Sequence, residues 1–216
     1  MAGKLKISVP GRALHVAVSK PDDRFNKENP PFKIKLIPSV EDAEVFKAEI
    51  DKAVDEAHEV HTSTLPVAQK KLWSKSYPYE DELDKETGEP TGRTIFKFKQ
   101  NSKIRRKDGS TSDVKILVVD AKKKKTTAPV WSGDLVRIAY KFRTKKDGTI
   151  DPMVIATSKQ VTVRLDFAQV QILQKRQTGE GSAFDEFEGG WEADEDEFSS
   201  NEADISKAAA SNDGDF

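Results

Sequence analysis

Lysine and arginine side chains that alternate with apolar residues are the chemically most informative pattern of this chain. In the Phe-Lys-Phe-Lys segment at 96–99, the rings share one face and the lysines share the other, because successive side chains of a strand point in opposite directions. Segments 32–36 and 135–143 repeat this alternation. The predicted outward cations are Lys33, Lys35, Lys97, Lys99, Arg137, Lys141 and Arg143.

Ammonium and guanidinium groups on three strands suit a phosphate backbone, because each neutralised phosphate releases a condensed counterion. If the three strands are neighbours, we expect a cationic groove, with cationic loops as its walls. The alternative is that lysine-rich outer faces only solubilise a sheet and protect its edges. Three strands and three loops of one sign favour the groove. The loop candidates are Lys103, Arg105, Arg106, Lys107, Lys122, Lys124 and Lys125, with Lys145 and Lys146 in the third loop.

Aromatic residues near the cations would select single strands, whose unstacked bases offer faces to side-chain rings. Trp73, Tyr77 and Tyr79 lie in one long connection, and Trp131 lies in the Pro- and Gly-containing loop 128–133. These rings either stack on bases or pin their loops onto the core. Alternation directs Tyr140 towards the core, so we interpret it as structural. The predicted helix is mostly acidic, which argues against duplex reading in a major groove.

The elements that must position these side chains are mainly short strands separated by turn residues, a pattern typical of a small antiparallel barrel or sandwich. We predict strands near 5–9, 13–19, 32–37, 93–100, 114–120, 135–143, 153–158 and 161–173. One amphipathic helix is predicted between Pro38 and about Thr62, with Ser39 as its N-cap. Segment 63–92 shows no sustained period and is interpreted as a long connection. Two Asp-Gly pairs, at 107–110 and 146–149, predict hairpin turns.

Charge is distributed very unevenly along the 216 residues, although the net charge is only −1. Residues 180–216 contain 13 acidic residues and one basic residue, so residues 1–179 carry +11. Such asymmetry is typical of proteins that bind nucleic acid or mimic a polyanion. We predict a folded domain at 1–178 and, at 179–216, a disordered acidic tail with too little apolar area to fold alone. A −12 tail beside a +11 domain would act as a tethered competitor for the groove.

Several classes of chemistry are absent from the sequence. It contains no cysteine, which excludes disulfides, thiolate metal sites and cysteine nucleophiles. His58 and His61 lack the spacing of a zinc helix and a third ligand, and no phosphate-binding glycine loop or nucleophile elbow is present. We therefore expect a non-enzyme without metal or cofactor. No apolar run approaches a membrane span, and the start at Met1 shows no signal-peptide core, so we expect a soluble protein with no membrane partner.

Three motifs together resemble the single-stranded DNA-binding proteins of T7-like bacteriophages. They are Phe96-Lys97-Phe98-Lys99, the segment Leu117-Val118-Val119-Asp120 running into Lys122–Lys125, and the terminal Asp213-Gly214-Asp215-Phe216. Lys20-Pro21-Asp22 and a helix before the long connection also fit. The likeness is patchy but spans most of the chain, and the end of the acidic tail is its most specific element.

This resemblance implies a mainly β protein with a five-stranded OB-fold barrel, one helix and a disordered acidic tail. It also implies a homodimer that coats single-stranded DNA in phage replication and recombination, anneals strands, and works in the cytoplasm of the infected host. The tail, through Asp213, Asp215 and Phe216, would recruit the phage DNA polymerase and helicase–primase. Two alternatives stay open: an RNA-binding OB-fold protein, and an acidic-tailed chaperone that binds through the tail alone.

Overall fold

Alternating inward apolar residues close five strands into a barrel in the computed structural model. The structure describes residues 5–24, 26–105, 109–145 and 147–176. The predictions for Arg106, Lys107, Lys146 and the acidic tail, including Asp213, Asp215 and Phe216, fall outside the described residues. Two units are distinguished, Met1–Arg176 and Gln177–Phe216, and every described residue lies in the first.

The described elements are thirteen strands and two helices. In chain order they are β1 (Lys6–Ile7), β2 (Gly11–Ala17), β3 (Pro31–Pro38), α1 (Val40–Thr62), α2 (Val67–Lys70), β4 (Ser74–Lys75), β5 (Tyr79–Leu83), β6 (Pro90–Asn101), β7 (Lys103–Arg105), β8 (Thr111–Asp113), β9 (Leu117–Val119), β10 (Leu135–Phe142), β11 (Met153–Ile155), β12 (Gln160–Thr162) and β13 (Leu165–Gln174).

The barrel follows the strand order β2-β3-β6-β13-β10 and closes where β10 pairs with β2. The pairings are antiparallel except between β6 and β13, which run parallel where Phe98 meets Leu165. Numbered along the chain, the barrel strands therefore lie in the order 1-2-3-5-4. This confirms the predicted five-stranded OB-type barrel.

Helix α1 packs on the barrel core through the face that the sequence predicts. Ser39 is its N-cap, because the Ser39 side chain accepts a hydrogen bond from the backbone N–H of Asp42. Phe46 inserts among inward-facing rings, with its centroid 4.6 Å from Phe96 and 5.6 Å from Tyr140. The core ring Tyr140 is fully buried, as its alternation predicts.

The connection at 63–92 contains more structure than its sequence indicates. It holds α2, β4 and β5, and β5 extends the sheet by pairing with the first half of β6. The Tyr-Glu-Asp-Glu-Leu sequence of β5 has three acidic residues, which are poor strand formers, so its pairing partner rather than its composition sets its conformation. The predicted long strand 161–173 is divided into β12 and β13, with a break at 163–164.

Two predicted turns are bracketed by pairing residues. Strands β7 and β8 pair antiparallel across the first Asp-Gly turn. Thr144 bridges to Ile150 across the second turn, where the backbone N–H of Thr149 donates to the Asp147 carboxylate at 2.9 Å. No helix among the described residues is long and apolar enough to cross a membrane.

Candidate nucleic-acid interface

Two pairs of lysines face each other across the outer surface of β3 and β6. The register places Lys33 opposite Lys99 and Lys35 opposite Lys97. Phe32, Ile34 and Leu36 point the other way into the core, as do Phe96 and Phe98. We call the four residues Lys33, Lys35, Lys97 and Lys99 the lysine face. Like charges directly opposite one another destabilise a sheet, so this arrangement is costly unless an anion lies across it.

Carboxylates of the folded domain already contact three of the four lysines. Asp22 binds Lys33 at 3.0 Å and Arg24 at 2.8 Å, and the hydrogen bonds from Arg24 and Lys33 hold the pKa of Asp22 well below its usual range. Glu80, on β5, binds Lys35 at 3.0 Å and Lys97 at 2.5 Å. Burial alone raises the pKa of Glu80, but its hydrogen bonds with Lys97 and Lys35 give a net lowering.

Lys99 differs from the other three lysines, because no described side chain forms an ion pair with it. Burial, together with the nearby cations Lys33 and Arg164, lowers the pKa of the Lys99 ammonium. Arg164 directly precedes β13, whose first residue pairs beside Phe98, and its own guanidinium is held by Asp166. Lys33, Lys99 and Arg164 thus form a row of three cations across neighbouring strands. Sequence analysis did not single out Arg164, although it alternates with Val163 and Leu165 inside the predicted strand 161–173, because this strand holds only one cation.

The cations of β10 lie on a different part of the barrel. Arg137 and Arg143 are exposed and Lys141 is half-buried, so their predicted outward direction is confirmed. However, β10 pairs with β13, β2 and β1, and not with β3 or β6. Of the three cationic strands, only β3 and β6 are therefore neighbours, and β10 does not lie next to either. Arg143 is also held by Asp151 at 2.9 Å.

The described loop cations are distributed over three loops, the third of which contributes the exposed Lys145. Lys103 is exposed at the start of β7, and Arg105 ends that strand. Lys122, Lys124 and Lys125 are exposed in the turn after β9. In that turn, the Asp120 carboxylate accepts from the backbone N–H of Lys124 at 2.8 Å.

A groove of about 780 Å³ lies beside this second loop. Lys125 and Lys115 line it together with Phe32, Val18 and Ser19. Phe32 and Lys33 are successive residues of β3 and point to opposite sides of the strand, so the groove is separate from the lysine face. A smaller groove shares Val18 and Ser19 and is lined by Trp131 and Lys20.

Two of the four candidate stacking rings pack against α1. The ring centroids of Trp73 and His61 lie 4.4 Å apart, and the backbone carbonyl oxygen of Trp73 lies 3.2 Å from His58 Nε2. The Tyr79 hydroxyl donates to Asp51 at 2.7 Å, and its ring contacts Phe96 at 5.5 Å. Burial and the Asp51 hydrogen bond raise the pKa of Tyr79. These contacts fit the role of pinning the connection onto the core.

The other two rings are open to a ligand. Tyr77 is 38% exposed and lies 5.3 Å from Tyr79, while Trp131 is 52% exposed. The buried Asp134 carboxylate fixes the Trp131 loop, since it accepts from the backbone N–H groups of Trp131 and Arg176 at 2.9 Å each. The Arg176 guanidinium lies 5.8 Å from the Trp131 ring centre. An ordered loop therefore presents an exposed indole next to a cation.

The comparisons with known proteins agree on the fold. No family model matches the chain, and no curated protein matches its sequence. The structure is similar to that of gp2.5, a single-stranded DNA-binding protein encoded by bacteriophage T7, with a TM-score of 0.63 and 23% identity over 88% of this chain and 98% of that one. It is also similar to the single-stranded DNA-binding protein of bacteriophage Enc34 in complex with single-stranded DNA, with a TM-score of 0.50, 13% identity and coverage of 79% and 86%. The chain thus has the barrel fold of these phage proteins.

Proposed function

We propose that this protein binds single-stranded DNA without sequence preference, through the lysine face and the exposed rings of Tyr77 and Trp131. One observation carries the proposal: the four lysines form two directly opposed pairs on the outer face of neighbouring barrel strands. These are the second and third barrel strands, which form the nucleic-acid face of OB-folds in general. Two bound phosphates would relieve the repulsion within both pairs.

The spacing of the lysines fits an extended polynucleotide. Lys33 and Lys35, like Lys97 and Lys99, are two residues apart, which spans roughly 7 Å along a strand. That is close to the separation of successive phosphates in an extended single strand. Phosphate contacts give affinity without sequence information, while Tyr77 and Trp131 are the proposed stacking residues, a contact that tolerates every base. The outer face of β10 is not part of the proposed site.

The loop cations are proposed to extend this site. Lys125 and Lys115 line the separate groove next to Phe32 and are proposed as a second contact for the polynucleotide, beyond the lysine face. Lys103 comes two residues after the end of β6, where Asn101 pairs with Pro31, so it would contact the polynucleotide beyond the Lys33–Lys99 end of the face. The remaining predicted loop residues are proposed as weaker, electrostatic contributors.

We further propose that the acidic segment 180–216 competes with DNA for this site and recruits replication proteins. Its 13 acidic residues and the +11 charge of residues 1–179 support this proposal. Asp213, Asp215 and Phe216 would dock on the phage DNA polymerase and helicase–primase. We also propose that the protein forms a homodimer, anneals complementary strands and takes part in recombination and repair. We propose that it has no catalytic activity and acts in the cytoplasm of the infected host.

Fluorescence titration tests the proposed function. Full-length protein and a truncation after Gly179 are titrated with oligo(dT) over a salt series. For about five phosphate contacts we expect a log–log salt slope near −3.5, quenching of tryptophan emission, and tighter binding by the truncated protein. A matched RNA oligomer should bind more weakly. Absence of salt-sensitive binding at low salt would refute the proposal, and binding lost on truncation would instead favour the chaperone alternative.

A further inference from the structure

Glu80 lies at the edge of the lysine face and bridges one of its two pairs. Its Oε1 atom accepts from Lys35 Nζ at 3.0 Å, and its Oε2 atom accepts from Lys97 Nζ at 2.5 Å. Lys35 and Lys97 are the directly opposed pair of β3 and β6. Each oxygen of one carboxylate therefore binds one ammonium group, which reduces the repulsion within the like-charge pair and its net charge from +2 to +1.

Strand β5 holds this carboxylate in place from outside the barrel. Glu80 pairs in register with Ile95 of β6, and the preceding residue, Tyr79, is tied to α1 through Asp51 at 2.7 Å. At the other end of β5, Asp84 closes the turn by accepting from the backbone N–H groups of Glu86 and Thr87 at 2.9 Å each. The position of Glu80 is thus determined by the fold rather than by a mobile loop.

Two acceptor oxygens that bridge two ammonium groups are also what a phosphodiester offers. Its two non-bridging oxygens carry one negative charge between them, as a carboxylate does. We propose that Glu80 is an internal phosphate mimic: it occupies the Lys35–Lys97 pair in the absence of DNA, and a backbone phosphate displaces it on binding. This inference rests on the proposed function, because it concerns the same lysine face.

Asp22 shows why displacement is assigned to Glu80 alone. The Asp22 side chain is only 8% exposed, and Lys33 and Arg24 hold it in place, so it stays as a structural anion. The Glu80 side chain is 41% exposed, and its removal from the lysines leaves it solvated at the sheet edge. Lys99, without a carboxylate partner among the described side chains, would take a phosphate first. The next phosphate would then meet Glu80 on the neighbouring pair.

A charge-neutral substitution with a matched control tests this inference. Glu80→Gln keeps the shape of the side chain but removes its charge. Glu82→Gln does the same two residues along β5, where Glu82 binds Arg93 at 2.5 Å and accepts from Thr91 at 2.9 Å, away from the lysines. The net charge of both full-length variants rises by the same amount, so a general electrostatic effect would change their affinities for oligo(dT) equally. Affinity for oligo(dT) is measured over a salt series for both variants and the wild type.

We expect Glu80→Gln to bind oligo(dT) about threefold to tenfold more tightly than the wild type. The phosphate then no longer has to break the two exposed ion pairs of Glu80 with Lys35 and Lys97. Its salt slope should stay close to that of the wild type, because the same phosphate contacts form in both complexes once Glu80 is displaced. Glu82→Gln should stay within about twofold of the wild type. Equal affinities for the two glutamine variants, or weaker binding by Glu80→Gln, would overturn the inference and leave the proposed function standing. No binding by the wild type would instead refute the proposed function, and the inference with it.

Thermal unfolding gives a second readout, which also measures the stability of the unbound proteins. Without Glu80 the Lys35–Lys97 pair lacks its anion, so Tm of Glu80→Gln should fall by a few degrees. Saturating oligo(dT) should raise the Tm of this variant more than that of the wild type, because the phosphate replaces the missing charge. An equal rise in both proteins would contradict the inference.

Discussion

The outer faces of the β3–β6 pair and of β10 have the same sequence pattern and different surroundings. On both, basic residues alternate with buried apolar ones. On the first, the register brings four lysines into two opposed pairs. On β10, Arg137 and Lys141 face partners on β13, where they meet Gln171 and Asp166. Alternation therefore decides whether a cation points outward, while strand pairing decides whether it meets another cation.

The order of strands in the barrel explains this difference. The second and third barrel strands are neighbours, and directly paired Cβ atoms lie about 5 Å apart. The fourth strand, β10, is separated from both by one intervening strand, a distance of roughly 10 Å across the sheet. A phosphate can contact two lysines of the first face simultaneously. On β10 it meets isolated charges, or Arg143 already bound to Asp151.

Removal of two cations from each face tests this comparison with the largest expected effect. The double variant Lys97→Ala/Lys99→Ala should lose on the order of 100-fold in affinity for oligo(dT), at about 1.5 kcal/mol for each charge-assisted contact. Its salt slope should become less negative by about 1.4. Arg137→Ala/Lys141→Ala removes the same charge from β10 and should stay within about threefold of the wild type, where only long-range attraction is lost. Equal losses in the two double variants would refute the assignment of the site to the lysine face.

The same comparison applies to the two tryptophans in the described part of the chain, Trp73 packed on a helix and Trp131 exposed. Trp131→Ala should weaken oligo(dT) binding about tenfold, within the range of about 1 to 3 kcal/mol for a stacked base. Trp131→Phe should abolish most of the tryptophan quenching, whereas Trp73→Phe should keep it, because the ring of Trp73 packs against His61 and the core. Quenching that survives in Trp131→Phe and disappears in Trp73→Phe would reverse the roles assigned to these rings.

The sequence predicts what depends on local periodicity. The helix with its Ser39 cap, the barrel strands and the direction of the lysines follow from alternation and capping chemistry. The five-stranded closure comes from the resemblance and is confirmed by the strand order. The partner of each strand could not be predicted from the sequence alone, because backbone pairing has no period along the chain.

Residues outside periodic segments account for what the sequence analysis left out. Strand β5 is acidic and forms through its pairing with β6, so the ion pairs of Glu80 with Lys35 and Lys97 could not be anticipated. Arg164 lies at a break between strands, and its place beside Lys99 depends on the parallel crossing of β13 and β6. Asp22 enters the sequence analysis only as part of a motif, and it contacts Lys33, which lies 11 positions later in the sequence.

Substitution of Tyr79 tests whether this ring pins the connection onto the core, and its expected effect is smaller. Tyr79→Phe removes the hydroxyl that donates to Asp51 at 2.7 Å, which should lower the free energy of unfolding by about 1 to 2 kcal/mol, as for a hydrogen bond to a charged group. Affinity for oligo(dT) should not change, because the ring stays on Phe96 and α1. Chemical denaturation and titration measure the two quantities separately. Weaker DNA binding at unchanged stability would show that Tyr79 contacts the ligand.

The pH dependence of binding gives the smallest expected effect and distinguishes Lys99 from the rest of the lysine face. Burial and the cations Lys33 and Arg164 lower the pKa of Lys99 in the unbound protein, whereas a bound phosphate favours its charged form. Affinity should therefore fall as pH rises through the lowered pKa, because binding then requires uptake of a proton. Lys99→Arg keeps its charge throughout, so between pH 7 and 9.5 it should lose roughly twofold to threefold less affinity than the wild type. The control Lys97→Arg, on the same strand, retains Lys99 and should show the same pH dependence of affinity as the wild type. Identical pH dependences for all three proteins would show that Lys99 does not bind phosphate.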